Sequence, residues 1–156
     1  MEGISGFAGN YRPAGIYIVG SKHKPPPRDA VPGLVESLCD YVNENFQSMS
    51  ALCLAAYVMW RINWLHPFDD GNGRTARSAA YLVLCSRLGY RLPGKKSLLD
   101  LIVDNKQPYY AALEAADAAW TDKNRIDVSE LEGLLERLLG AHLVGVLEEA
   151  KGQPLA

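Results

Sequence analysis

The sequence predicts an all-α protein, a bundle of about six helices that carries one small β-hairpin near the N terminus. Three observations indicate this fold class. Apolar residues recur at helical spacing from Val31 onward, Gly and Pro interrupt that pattern, and only residues 16–19 have the composition of a strand. With 156 residues, of which 48% are hydrophobic and 22% charged, we expect one domain over residues 1–156.

The predicted hairpin starts from the β-branched and aromatic run Ile-Tyr-Ile-Val at residues 16–19. Gly20 and Ser21 can turn the chain back through residues 22–24, and prolines at 25–27 end the element, because proline cannot donate to a ladder. A two-stranded hairpin is marginal alone, so it must pack on the helices or accept a strand from a partner. These residues alone do not decide whether the hairpin is an N-terminal addition without a function or presents a functional edge.

The first two helices have clear starting signals. Pro32 suits the first turn of a helix that begins at Val31. Ser48 or Ser50 can cap the second helix, which runs to about Leu65. Because this second helix is apolar on almost every side, we expect it at the centre of the bundle.

Four further helices complete the prediction. The third runs from about Asn72 to Leu88, with Gly89 at the C′ position that favours glycine. The remaining signals are a Ser97–Asp100 capping box before residues 98–105, Pro108 at the start of a helix to about Trp120, and Asp127 with Glu130 before a last amphipathic helix ending near Gly152.

Charge and hydropathy exclude several classes of function. The net charge is −2 and no basic run is longer than Lys95-Lys96, so neither nucleic acid nor a membrane surface is expected as a partner. The longest apolar run, residues 51–65, is too short to cross a bilayer and contains Arg61 and Asn63. It therefore indicates a buried core helix.

The cysteines and the N terminus bear on the cellular compartment. Cys39, Cys53 and Cys85 lie in apolar helical contexts without C-x-x-C spacing, which favours thiols in a reducing compartment over disulfides or zinc ligands. Residues 1–10 lack the pattern of a secretory signal. We therefore expect a cytoplasmic protein.

The stretch richest in chemistry is residues 66–77, His-Pro-Phe-Asp-Asp-Gly-Asn-Gly-Arg-Thr-Ala-Arg. A helix beginning near Asn72 should favour acidic residues in its first turn, yet this one carries Arg74 and Arg77. Glycines at a helix N terminus let an anion approach unpaired N–H groups. Two arginines three residues apart can hold separate oxygens, so the predicted ligand is a polyphosphate.

The acidic residues and the histidine complete this interpretation. Asp69 and Asp70 beside a phosphate site require a cation, and Mg²⁺ prefers one or two carboxylates together with substrate phosphates. His66 can take a proton from an attacking hydroxyl. The set predicts phosphoryl or nucleotidyl transfer, although each residue alone has an ordinary explanation as a cap, a loop residue or a surface ion pair. No Walker-type G-x-x-x-x-G-K-[ST] sequence is present.

Residues 66–77 match every defining position of H-x-F-x-[DE]-G-N-G-R-x-x-R, and the chain thereby resembles the Fic family. The similarity extends from residues 16–26 through Tyr109 and Tyr110. It implies a Fic-type helical bundle with a β-hairpin flap, which we place at residues 15–25. Within that family, Doc-like relatives depart from Gly-Asn-Gly-Arg, whereas this chain does not.

The resemblance implies an enzyme that transfers AMP from ATP to a Ser, Thr or Tyr hydroxyl of a target protein and releases pyrophosphate, with Mg²⁺ as cofactor. Other Fic-type transfers (phosphorylation, UMP or phosphocholine transfer) remain open, as does a non-catalytic nucleotide-binding regulator. The flap would cover the nucleotide and align the target protein along its edge.

The family also implies a role for each matching residue of this chain. His66 would be the general base and Phe68 an anchor of the loop. The implied phosphate-binding residues are Asp70, Gly71, Asn72, Gly73, Arg74, Thr75, Ala76 and Arg77. Of these, Asp70 would also hold the metal, and Gly71, Asn72 and Gly73 would form the anion hole for the α- and β-phosphates. Arg74 would contact the β-phosphate and Arg77 the γ-phosphate. The flap residues over nucleotide and target are Val19, Gly20, Ser21 and Lys22, and Tyr109 and Asp117 fall at the adenosine end.

Many relatives carry an inhibitory helix with the pattern [ST]-x-x-x-E-[GN], whose glutamate pairs with the second motif arginine. Glu44 and Glu132 precede Asn and Gly but have Asp40 and Val128 at the hydroxyl position. Control of Arg77 would then come from an antitoxin-like protein or from a helix missing from this chain, unless the enzyme is unrestrained. We expect a bacterial protein, with delivery into another cell left open.

Overall fold

The computed structural model describes residues 6–152, and these residues confirm the all-α prediction. A short 3₁₀ turn at Arg28–Ala30 precedes the helices. The six α-helices of this described part are α1 (Val31–Asn45), α2 (Ala51–Leu65), α3 (Asn72–Leu88), α4 (Leu98–Asp104), α5 (Lys106–Lys123) and α6 (Ser129–Ala150).

Helix α2 occupies the centre of the bundle, as its all-round apolar sequence predicts. It packs against α1, α3, α5 and α6. Trp60, Leu54 and Leu65 of this helix are fully buried, and burying a side chain of that size contributes about 1.5–3 kcal/mol. Since α2 ends at Leu65, the core fixes the point from which residues 66–71 leave toward α3.

Most helix boundaries follow the predicted signals. Ser50 Oγ accepts a hydrogen bond from the Cys53 N–H at 3.0 Å, and Gly89 ends α3 with a left-handed φ of 79°. Ser97 and Asp100 form the reciprocal capping box of α4. Helix α5 begins at Lys106, so Pro108 lies within its first turn rather than at its start.

The start of α6 differs from the prediction. Asp127 and Glu130 were expected to cap it reciprocally, but the helix begins at Ser129 with Val128 as N-cap. The Asp127 carboxylate accepts hydrogen bonds from the Ser129 backbone N–H at 3.3 Å and from its hydroxyl at 2.7 Å. Asp127 therefore organises the turn before the helix, and α6 begins one residue later than the pattern indicated.

The predicted β-hairpin is not formed: within residues 6–152 the flap has no strand. Only its turn is present, with the Ser21 N–H donating to the Ile18 carbonyl at 3.1 Å and Gly20 at φ 80°. Tyr17 and Val19 are 87% and 100% exposed, so the side chains gain no packing that would support a ladder. His23 instead donates from Nε2 to the Trp64 carbonyl at 2.7 Å, which ties the returning segment to α2.

No helix among residues 6–152 combines the length and the hydropathy that a bilayer-spanning segment requires.

Candidate active site

His66 stands at the end of α2 in an unusual backbone conformation. It caps the helix with φ 48° and ψ 57°, and its N–H donates to the Ile62 carbonyl at 2.9 Å. Only a few per cent of non-glycine residues adopt positive φ, although histidine is enriched among them. This left-handed residue ends α2 and turns the chain into residues 67–71.

The His66 ring has a defined tautomer. Nδ1 lies 3.1 Å from the Asn63 backbone carbonyl. A carbonyl can only accept, so Nδ1 carries the proton and Nε2 is the basic nitrogen of the neutral ring. Burial lowers the pKa of His66, the Asn63 carbonyl opposes this, and the charges of Arg12 and His23 lower the pKa further. The ring is therefore a neutral imidazole near pH 7.

The side chain of Asn72 fixes the conformation of the loop at residues 67–71. It is 2% exposed, and its side chain makes two hydrogen bonds with the backbone of Phe68: Oδ1 accepts from the N–H and Nδ2 donates to the carbonyl, both at 2.8 Å. The Phe68 ring stacks on Tyr11 with centroids 6.2 Å apart. Because its amide is buried and bonded within the loop, the Asn72 side chain serves to hold the backbone of Phe68.

The N terminus of α3 presents unpaired backbone N–H groups, a geometry that can bind an anion. Gly71 adopts φ 81°, and the first bond of the helix runs from the Thr75 N–H to the Gly71 carbonyl at 2.9 Å. The N–H groups of Asn72, Gly73 and Arg74 therefore precede the helical hydrogen-bond pattern and carry the positive end of the helix dipole. Such groups bind phosphate without help from side chains.

The two motif arginines have different surroundings. Arg74 Nη2 lies 3.0 Å from Asp70 Oδ2, and both side chains are more than half exposed, so this ion pair contributes little stability and can exchange for ligands. Arg77 is half-buried and lies within hydrogen-bonding reach of the Tyr109 hydroxyl. A Cβ added at Gly73 would come within 3.3 Å of Arg77 Nη1, so the guanidinium lies over that glycine.

A cavity of about 440 Å³ lies between the flap turn, the end of α2 and α5. That volume is in the range of small-molecule sites. The flap residues Val19, Gly20 and Ser21 line it, whereas Lys22 is exposed and is not among the lining residues. The other lining residues are Ile18, His23, Asn63, Trp64, His66, Gln107, Tyr110, Ala111, Leu113, Glu114 and Asp117.

The two residues predicted at the adenosine end have different positions. Asp117 lines the cavity, accepts a hydrogen bond from Trp60 Nε1 at 2.8 Å and lies 3.8 Å from His23 Nδ1. Burial raises the pKa of Asp117, against the effects of Trp60 and His23. Tyr109 is 3% exposed, does not line the cavity and accepts from Asn63 Nδ2 at 2.9 Å. Its neighbour Tyr110 is the tyrosine that faces the cavity.

Three residues of the site were not found from the sequence. Asn63 had a signal, because it is a polar residue in an otherwise apolar helix, and it contacts both His66 and Tyr109. Arg12 and His23 had none, since their partners His66 and Trp64 lie 54 and 41 positions away in the chain.

The residues present fit a Mg²⁺ ion shared with substrate phosphates. Asp70 is exposed beside the N terminus of α3, where a hydrated cation can reach its carboxylate. Within residues 6–152, no group of three or more His, Cys, Asp or Glu side chains is placed to hold a metal. A cation here would therefore take most of its oxygen ligands from substrate and water.

The fold and the site define a helical protein in which a half-buried histidine lines a cavity of small-molecule size and begins the loop that leads to the N terminus of α3. The Fic/DOC family model matches residues 1–84, which is more than half of the chain. The chain belongs to the Fic/DOC family.

Among curated proteins, it is 28% identical over 108 residues to a probable protein adenylyltransferase of Aquifex aeolicus (strain VF5). It is 31% identical over 111 residues to protein adenylyltransferase fic-1 of Caenorhabditis briggsae. The matches cover 69% and 70% of this chain but 30% and 20% of those relatives. The chain thus corresponds to less than a third of their length.

Two solved structures share the fold. A Fic family protein from Desulfovibrio desulfuricans G20 is 29% identical with a TM-score of 0.70, covering 97% of this chain and 44% of that one. A Fic domain containing signaling protein from Bacteroides thetaiotaomicron VPI-5482, 21% identical, has a TM-score of 0.68 and covers 94% of this chain and 57% of that one. The second similarity concerns the fold alone.

Proposed function

We propose that this chain transfers AMP from ATP to a serine, threonine or tyrosine hydroxyl of a protein, with release of pyrophosphate. The observation that carries the proposal is the position of His66. Its ring is a neutral base at the edge of the 440 Å³ cavity, and it opens the loop that leads to the N terminus of α3. Membership of the family and relatives named protein adenylyltransferase support the same reaction.

In the proposed reaction, His66 Nε2 accepts the proton of the target hydroxyl. The hydroxyl oxygen forms a bond to the α-phosphorus of ATP as the bond from that phosphorus to the oxygen bridging to the β-phosphate breaks. Pyrophosphate leaves with the electron pair. The base needs no prior deprotonation, because burial keeps the imidazole neutral.

The N terminus of α3 would bind the phosphates. The backbone N–H groups of Asn72, Gly73 and Arg74 donate to the α- and β-phosphates, and the Arg74 side chain exchanges Asp70 for the β-phosphate. Arg77 would meet the γ-phosphate. Asp70 would hold Mg²⁺, which when bound neutralises phosphate charge.

The adenosine would occupy the cavity between the flap turn and α5. We assign Tyr110 the aromatic contact that the family resemblance implied for Tyr109, because Tyr110 faces this space. Asp117 supplies a polar group in the same wall. Val19 and Tyr17, both strongly exposed, offer an apolar edge for the target protein.

Its place in the cell and its control are also proposals. We place the chain in a bacterial cytoplasm; its three cysteines are unpaired thiols, which is compatible with a reducing compartment. Arg77 has no ion pair with a carboxylate within residues 6–152, so an antitoxin-like partner, or a helix outside this chain, could supply an inhibitory glutamate to it.

The proposed function is tested by incubating the chain with cell lysate and ATP labelled either at the α- or at the γ-phosphate. AMP transfer puts only the α-label on protein, whereas phosphorylation puts only the γ-label there. Mass spectrometry of the labelled protein then identifies the adduct. No label from either nucleotide, or an adduct other than AMP, would reject the proposal.

Replacing Asp70 with alanine is expected to remove the dependence of the transfer rate on Mg²⁺, because this carboxylate is the cation's proposed protein ligand. The measurement is the initial rate against Mg²⁺ concentration. Asp104→Ala is the control, since Asp104, at the end of α4, pairs with Lys96 at 2.7 Å and does not line the cavity. If the Asp70 variant had the same dependence of rate on Mg²⁺ concentration as the wild type, Asp70 would not be the ligand of the metal.

The pH profile of kcat/KM should have its acid limb below the ordinary imidazole value of 6.5, because burial lowers the pKa of His66. The same shift affects stability. As pH falls, His66 is protonated in the unfolded chain at a higher pH than in the folded chain, so protonation favours unfolding. The stability that is present above the pKa of His66 in the unfolded chain is therefore lost as pH falls through its pKa in the folded chain. Initial rates between pH 5 and 8 test this. An acid limb above 6.5 would contradict a buried neutral base.

A further inference from the structure

Arg12 is a buried cation whose described partners are all backbone carbonyls. Arg12 is only 4% exposed. Nε donates to the His66 carbonyl at 2.8 Å, Nη1 donates to the Ala14 carbonyl at 2.8 Å, and Nη2 donates to the Pro26 carbonyl. Burying a charge without a carboxylate partner is unfavourable, and burial lowers the pKa of Arg12. The free energy that it costs to bury Arg12 must therefore be offset by another contribution of this side chain.

These three carbonyls belong to different parts of the site. Ala14 and Pro26 lie immediately before and after the flap, so the guanidinium closes the base of the flap. His66 is the proposed base at the end of α2. Because a guanidinium is a rigid planar fork, one side chain holds the flap base and the histidine in a fixed relation.

Arg12 also fixes the direction in which the chain leaves His66. Its backbone N–H donates to the Pro67 carbonyl at 2.9 Å, next to the side-chain bond to the His66 carbonyl. The carbonyls of His66, where the backbone is left-handed at φ 48°, and of the next residue are thus both held by Arg12. A conformation of this kind persists only when its surroundings determine it.

We propose that Arg12 is a positioning residue for the transfer reaction: it holds the His66 backbone in its left-handed conformation and couples it to the base of the flap. The inference rests on the proposed function. Arg12 contacts no reacting atom and acts through His66.

The charge of Arg12 gives this role a second readout. The titratable groups around His66 are Arg12 and His23 from the N-terminal segment, Tyr110, Glu114 and Asp117 of α5 on the cavity wall, and Asp69 and Asp70 in its own loop. Arg12 and His23 both lower the pKa of His66, after burial. Removing the Arg12 charge should therefore raise the pKa of His66 while burial keeps part of the shift.

Two substitutions separate the fork from the charge. Arg12→Met is expected to lower kcat for AMP transfer about 10²-fold with the KM for ATP within about twofold, because the base is misplaced while the phosphate site is intact. Arg12→Lys keeps a cation but not the fork, so it should restore the pKa of His66 without restoring kcat. The control is Arg28→Met, since Arg28 is exposed and also donates to a nearby carbonyl, that of Pro13.

The measurements are steady-state kinetics, thermal unfolding and an NMR titration of the imidazole resonances, which three histidines make tractable. A kcat of Arg12→Met that matches the wild type, or that falls only in proportion to its unfolded fraction, would overturn the proposal. Full activity in Arg12→Lys would overturn the role of the fork. If Arg12→Met does not fold, Arg12→Lys decides.

The outcomes distinguish this inference from the proposed function. If the wild type labels target protein and Arg12→Met labels it equally fast, only the inference fails. If neither the wild type nor any variant transfers AMP, the proposed function fails. The inference is then decided by the NMR titration and by the backbone chemical shifts of His66, which require no activity: unchanged values in Arg12→Met reject it.

Discussion

Replacing His66 with asparagine is expected to lower the rate of AMP transfer by about 10²- to 10⁴-fold while the protein remains folded. Asparagine has no basic nitrogen, so nothing at this position can accept the proton of the target hydroxyl. It does tolerate the left-handed conformation that His66 adopts at φ 48°. The loop should therefore keep its course, and the loss can be assigned to the missing base. The measurement is the initial rate of α-label incorporation.

Two further variants serve as a comparison and a control for the His66→Asn result. His66→Ala should be equally inactive but less stable, since alanine offers no local hydrogen bond to support a positive φ. His142→Asn is the matched control, because His142 is a buried histidine of α6 outside the cavity lining. It should keep the wild-type rate per folded molecule. Wild-type labelling by His66→Asn would mean that another group serves as base.

The sequence predicts those parts of the molecule that depend on local rules. Periodicity and capping residues give the six helices because they act within a few turns of the chain, as Ser50 and Ser97 show. The flap was predicted wrongly as a hairpin because its conformation depends on distant carbonyls. Its returning segment bonds to Trp64 through His23 and to Arg12 through Pro26, and neither contact has a local signature.

The same distinction holds within the candidate site. Residues 66–77 are contiguous, so their chemistry can be read from one stretch. The surroundings of that stretch come from three separate elements: Arg12 before the flap, Asn63 on α2 and Tyr109 on α5. Their meeting depends on how the helices pack. Burial, which decides that Tyr110 rather than Tyr109 faces the cavity, is likewise a property of the packed fold.

Asn72 offers the second large effect, because one side chain sets the shape of the loop. Asn72→Ala would leave the Phe68 N–H and carbonyl without their 2.8 Å partners. We expect the free energy of unfolding to fall by about 1–3 kcal/mol. The rate should fall by about 10²-fold, because the loop between His66 and the N terminus of α3 loses its fixed geometry. Denaturant unfolding and initial rates measure the two effects.

Asn72→Asp separates catalysis from stability at the same position. A carboxylate can still accept from the Phe68 N–H but cannot donate to the Phe68 carbonyl, and its negative charge is favourable at the first turn of α3. The variant should therefore keep one of the two Phe68 hydrogen bonds that Asn72→Ala loses. It should be no more active, since the same negative charge repels the phosphates that α3 is proposed to bind. If Asn72→Asp retained the wild-type rate and KM for ATP, the N terminus of α3 would not be the phosphate site.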